Sequence, residues 1–171
     1  MLAGFYTSYA WQKNTVMRRF VRRTDREDID ARRIHTHIPI AVLIKTLRQD
    51  FVCNNLFDTW VARNIARRND YEVFIGWSGM SLKAIGAAKQ RDKTTILERG
   101  SSHIVYQNKT LKEEYARFGL DFSIDPRVIE KELQEYEACD FISVPSNFVK
   151  KSFLENGVRP EKLLVNPYGA A

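Results

Sequence analysis

CDFISVPSNFVKKSFLENGVRPEKLLVNPYGA, residues 139–170, decides how this chain is read. Phe141 to Val144 is a short apolar run with one serine, Ser143, in it. Ser146 follows as a helix cap, and Gly157 and Pro160 close the helical pattern after it. Leu163 to Val165 is a second apolar run. A strand apolar on both sides, a helix and another such strand make one parallel unit.

The same alternation extends upstream. Glu72 to Ile75 reads as a buried strand, followed by a turn over Gly76, Trp77, Ser78 and Gly79. A helix is expected from Ser81 to Gln90, and a strand from Thr94 to Leu97. Arg99-Gly100-Ser101-Ser102-His103 forms the next loop, with the serines available as caps. Ile104, Leu111, Tyr115 and Phe118 line one face of the following helix, which Gly119 ends. Asp125 and Pro126 start another helix, with Ile129, Leu133 and Tyr136 inward. The expected class is α/β: a Rossmann-like, doubly wound, mostly parallel sheet with helices on both faces.

The chain before residue 70 differs in character. Residues 1–69 are basic and helix-rich; residues 70–171 are the regular β/α part. Leu2 to Tyr6 reads as a short strand. Residues 12–23 place Val16, Met17, Phe20 and Val21 at helical spacing, with Lys13, Arg18, Arg19, Arg22 and Arg23 on the other faces. Pro39 opens a second helix with Ile40, Leu43, Ile44 and Leu47 on one side. A third, over residues 56–68, turns Leu56, Phe57, Trp60, Val61 and Ile65 inward and Arg63, Arg67 and Arg68 outward.

Composition narrows the function classes. The 171 residues are 44% hydrophobic and 28% charged, which excludes disordered and fibrous chains. Cys53 and Cys139 are the only cysteines, so no disulfide framework or Cys-based zinc site is expected. No apolar run is long enough to span a bilayer, and the N-terminus lacks the order of a signal peptide. The expected location is cytoplasmic, with peripheral contact at the inner membrane face left open. The net charge of +6 points to an anionic partner without choosing one.

Asp140, Ser146, Gly157 and Pro167-Tyr168-Gly169 stand in an order and spacing that closely resemble the end of the N-terminal domain of family 4 retaining glycosyltransferases. WSGMSLKAIGAAKQRDKTTILERGSSHI, residues 77–104, resembles that family's strand, helix, strand and loop leading to a histidine. The likeness covers residues 71–170 and is faint before them. It implies a two-domain enzyme with a cleft between Rossmann-like halves. The first half holds the acceptor, and the second binds the nucleotide-sugar. Both ends of the chain read as cut, with no glycine-rich first loop and no donor half. The expectation is an acceptor-side fragment, inactive alone. A complete small domain with ragged ends is the alternative. The implied partners are a nucleotide-sugar donor, bound through the missing half, and a saccharide or lipid-linked acceptor. No cofactor is implied beyond that donor substrate.

His103 is the expected catalytic contact, hydrogen-bonding the transferred sugar from a helix start. Trp77, Ser78, Gly79, Arg99 and Gly100 are the expected substrate-binding residues. The Trp77 indole either stacks on a sugar ring or packs on the neighbouring helix. Arg99 either faces phosphate charge or pairs with Glu98 or a surface carboxylate. Gly100 is read as permitting a tight turn. The two loops should meet at the carboxyl ends of adjacent strands. Ser146 is read as a cap and Asp140 as structural. Glu130, Glu132, Glu135 and Glu137 read as a solvated helix face. His35 and His37 lack further ligands nearby in sequence, so no metal site is expected. The competing class is a basic nucleic-acid-binding α/β module without catalysis, to be tested by salt-dependent binding to random DNA. A dinucleotide oxidoreductase is excluded, since no GxGxxG exists in the chain.

Overall fold

The computed structural model describes residues 3–7, 31–36 and 50–168. A short parallel pair, β1 (Phe5–Thr7) and β2 (Ile34–Thr36), precedes helix α1 (Asp50–Ile65). There follow β3 (Val73–Trp77), α2 (Leu82–Lys89), β4 (Thr94–Glu98), α3 (Ile104–Arg117), α4 (Pro126–Ala138), β5 (Phe141–Val144), α5 (Asn147–Leu154) and β6 (Leu163–Val165). The last four strands form one parallel sheet in the order β3-β4-β5-β6. The chain is therefore α/β, as the alternation of runs predicts.

Local chemistry sets most boundaries. The Asp125 carboxylate accepts the Arg127 N–H at 2.9 Å, and Pro126 takes the first helical position of α4. Ser146 Oγ accepts the Val149 N–H at 3.3 Å and caps α5. Gly157, at φ 84°, turns the chain after α5 in a conformation that side chains resist. Asp140 accepts from the Thr95 N–H and hydroxyl and pairs with Lys89, tying β5 to β4 and α2. Its structural reading agrees with this.

The register sorts the sheet into two faces. Phe74, Leu97, Ile142 and Leu163 share one; Ile75, Ile96, Phe141, Ser143 and Leu164 share the other or adjoin it in register. Ile85 of α2, Ile104 of α3, Tyr136 of α4 and Phe153 of α5 all join Leu97, Ile142, Val144 and Leu163 in one core. Val61 and Ile65 of α1 pack on Ala84 and Ala88 of α2, with Phe74 and Tyr6 alongside. So the described helices all pack on one face of the sheet; the helices expected over residues 12–23 and after Pro39, which the two-faced expectation also counts, lie outside the described residues. The cause is topological: sequential parallel strands joined by right-handed crossovers send the helices between β3 and β6 to the same side, and α1 packs onto α2 there. On the opposite face Val73, Ile75, Trp77 and Leu164 are exposed.

Other corrections are local. The strand expected over residues 2–6 is displaced to Phe5–Thr7, and the helix expected over residues 56–68 begins earlier and ends at Ile65. Leu56 and Leu133, expected inward, are exposed, as are Tyr115 and Phe118, expected on the apolar face of α3. Gly76 and Trp77 belong to β3 rather than to the turn. The helices expected over residues 12–23 and after Pro39 lie outside the described residues, as do Leu2, His37 and Gly169. No helix among the described residues is long and apolar enough to cross a membrane.

Candidate functional site

Two turns meet at the carboxyl edge of the sheet. The β3–α2 turn carries Ser78 and Gly79 after Trp77; the β4–α3 turn carries Arg99 to His103. Ser78 N–H donates to the Glu98 carbonyl at 3.0 Å, and Arg99 N–H donates to the Ser143 carbonyl at 2.9 Å. The two loops therefore leave neighbouring parallel strands side by side, as expected. A Cβ built on Gly100 would stand 3.4 Å from Trp77 Cζ2 and 2.8 Å from the Tyr168 hydroxyl. Gly100 has no left-handed φ, so space for these two rings, not a tight turn, favours glycine here. Trp77 is 51% exposed and Tyr168 60%. The indole does not pack away under a helix.

His103 sits differently from expectation. It is the N-cap of α3, in place of Ser101 or Ser102, and its Nδ1 accepts the Val105 N–H at 3.3 Å. Its own N–H donates to Ser152 Oγ at 2.9 Å. The ring lies against Tyr136 and Phe153 and is 3% exposed. Burial, helped by the charge of Arg99, lowers its pKa to about 4. A neutral ring at a helix start is what the sequence suggests; its burial in the core is not.

Arg99 pairs with neither Glu98 nor a surface group. Its guanidinium meets Glu132 at 3.2 Å and Gln107 Oε1 at 2.7 Å. Glu132 also accepts the Tyr136 hydroxyl at 2.7 Å. Glu132 and Glu135 are buried, which corrects the solvated-face reading for those two, while Glu130 and Glu137 are exposed as expected. Glu135 accepts N–H groups of Gly79 (2.5 Å), Ser81 (2.8 Å) and Leu82 (3.1 Å). Asp58 of α1 accepts those of Lys83 (3.0 Å) and Ala84 (2.9 Å) and pairs with buried Lys131 at 3.3 Å. Two carboxylates from other helices thus fill the N-terminus of α2. That position ordinarily receives a phosphate in α/β folds.

Sequence reasoning missed Asp58, Glu132, Glu135 and Tyr168. A signal existed for Glu132: it lies three residues after Ile129 and four before Tyr136, on the inward stripe. Ser78 is buried, and Gly79 adopts φ 85°. His35 stacks on Tyr6 and lies 3.1 Å from Arg68 Nη1. Among the described residues no cluster of His, Cys, Asp or Glu could hold a metal ion. A shallow hollow along α4, lined by Pro126, Ile129, Leu133 and Glu137, shares no residue with the carboxyl edge. No protein-family model, curated protein or solved structure matches the chain.

Proposed function

We propose that the chain forms the acceptor side of a nucleotide-sugar-dependent, retaining glycosyltransferase on a Rossmann-like sheet. One observation carries the reading. A half-exposed indole, Trp77, stands at the carboxyl edge of a parallel sheet beside the bare backbone of Gly100, where the Tyr168 phenol also reaches. Ligands of parallel α/β sheets gather at this edge. Aromatic faces suit the apolar C–H faces of pyranose rings, and a phenol supplies a hydroxyl partner.

The filled N-terminus of α2 agrees with an acceptor role. A donor diphosphate finds its backbone N–H groups already taken by Glu135 and Asp58. In this reading Trp77 stacks on the acceptor ring, and Ser78, Gly79 and Gly100 shape the floor. Arg99, anchored by Glu132, fixes the second turn. His103 is the neutral cap behind that turn, and sugar contact passes to the two exposed rings.

Saturation-transfer NMR against a panel of free mono- and disaccharides tests the reading. Transfer to pyranose ring protons is expected with the parent chain. It should be lost in Trp77→Ala with an unchanged far-UV CD spectrum. No transfer to any sugar, or equal transfer with both proteins, overturns the proposal.

A further inference from the structure

The inward side of α4 carries Lys131, Glu132, Glu135 and Tyr136, all buried beneath the two turns. Glu135 is fully buried and grips the whole β3–α2 turn. Its Oε2 accepts from Gly79, and its Oε1 from Ser81 and Leu82. Ser81 Oγ donates onward to the Trp77 carbonyl at 2.7 Å. One carboxylate is therefore connected, through a single serine, to the backbone of the exposed indole. Gly79, at φ 85°, gives this turn a pivot without a side chain.

The charges around Glu135 are mostly committed elsewhere. On its own helix, Lys131 is held by Asp58 and by Asn55 Oδ1 at 2.8 Å, and Glu132 by Arg99 and Tyr136. From α1, Asp58 faces the next two N–H groups of α2. From the start of α2, the Lys83 ammonium turns to Thr59 Oγ1 at 2.7 Å. From the second turn, Arg99 lies on Glu132, and His103 packs on Tyr136. Glu135 itself is held by neutral backbone donors.

We propose that Glu135 is a positioning residue that works as a proton-operated latch on the β3–α2 turn, locking Trp77 in place when ionised and loosening it when protonated. Charge-assisted hydrogen bonds are about twice as strong as neutral ones, and here one proton weakens three together. Burial pushes Glu135 up to about 7, against the Ser81 and Gly79 N–H groups and Lys131, and the charge of Glu132 adds to the rise. The latch therefore operates near neutral pH. It rests on the saccharide reading only for what it controls; the latch is a property of the protein without ligand.

The experiment follows Trp77 alone. In the full chain carrying Trp11→Phe, Trp60→Phe, His35→Gln and His37→Gln, the emission maximum and acrylamide quenching are read from about pH 5.5 to 8.5, across the range where Glu135 titrates. A single transition with midpoint near 7 is expected, with quenching greater on the acid side. Glu135→Gln should abolish it. Glu132→Gln should move the midpoint down by roughly half a pH unit, because a nearby like charge is removed. A flat profile in the parent, or an unchanged transition in Glu135→Gln, overturns the latch. If Glu135→Gln does not fold, the Glu135 carboxyl carbon followed by NMR in the unsubstituted chain decides: a midpoint below about 5 overturns the proposal. A transition without saccharide binding would leave the latch standing and remove the proposed function instead.

Discussion

The two faces of the four-stranded sheet are built from similar residues and meet opposite fates. Leu97 and Ile142 on one face are wholly buried under α2, α3, α4 and α5, whereas Ile75 on the other is 60% exposed. Apolar identity alone does not say which face becomes core. The crossover connections say it, because each of them passes over the same side. The covered side also receives the buried charges, since only there do helices bring Asp58, Lys131, Glu132 and Glu135 together. The open side ends in the indole of Trp77. One face thus carries stability, and the edge of the other carries the candidate chemistry.

The largest expected effect breaks this contrast at the core. Phe153→Ala should cost about 3–5 kcal/mol in urea unfolding, as a fully buried ring leaves a cavity. Ile75→Ala should stay within about 0.5 kcal/mol. Equal losses would mean that the open face is covered in solution.

Next comes the buried pair. Asp58→Ala removes the acceptor of two N–H groups and breaks the Lys131 ion pair, leaving Asn55 as the remaining hydrogen-bond partner of the buried ammonium, a loss of about 3 kcal/mol. Asp58→Ala combined with Lys131→Met should recover part of it. No recovery would show that the α2 cap, and not the stranded charge, sets the cost.

The pH profile separates two buried groups of opposite sign. His103 is depressed from 6.5 to about 4, so its contribution is complete above 6.5 and is lost as pH falls toward 4. Glu135 is raised from 4.5 to about 7, because the desolvation of its carboxylate outweighs the N–H bonds that tighten on ionisation; its contribution to global stability is complete below 4.5 and is lost as pH rises toward 7, even as the turn itself is held more firmly. His103→Gln should remove the acid-side loss, and Glu135→Gln the loss toward neutral pH, both read from thermal midpoints at fixed salt. A profile that neither substitution alters would reject both assignments.

The smallest effect tests the edge. Gly100→Ala should change stability by less than about 0.5 kcal/mol, because the added methyl meets the far end of the solvent-exposed Tyr168 side chain, which has room to turn aside. It should nevertheless alter Trp77 emission, since the same methyl touches the indole. Unchanged emission would place the ring elsewhere.

Much of this molecule is legible one segment at a time. The apolar runs at Phe141 to Val144 and Leu163 to Val165 are strands in place. Asp125 and Ser146 cap as their residue types prefer, because a cap needs only a side chain and an N–H two or three residues on. The meeting of the Trp77 and Arg99 turns also follows from sequence, once adjacent strands are taken as parallel neighbours.

Tertiary structure decided the rest. His103 reads locally as a loop residue at a helix start; Ser152, Tyr136 and Phe153 make it a core residue, and Ser152 and Phe153 come from a helix some 50 positions away. Glu135 reads as one acid among four on an amphipathic helix. Its burial depends on the N–H groups of Gly79, Ser81 and Leu82, which only the packing of α4 against α2 brings within reach. Hydrogen bonds within a few residues are written in the order of side chains. Desolvation and long-range pairing are not, because they depend on which surfaces the folded chain presses together.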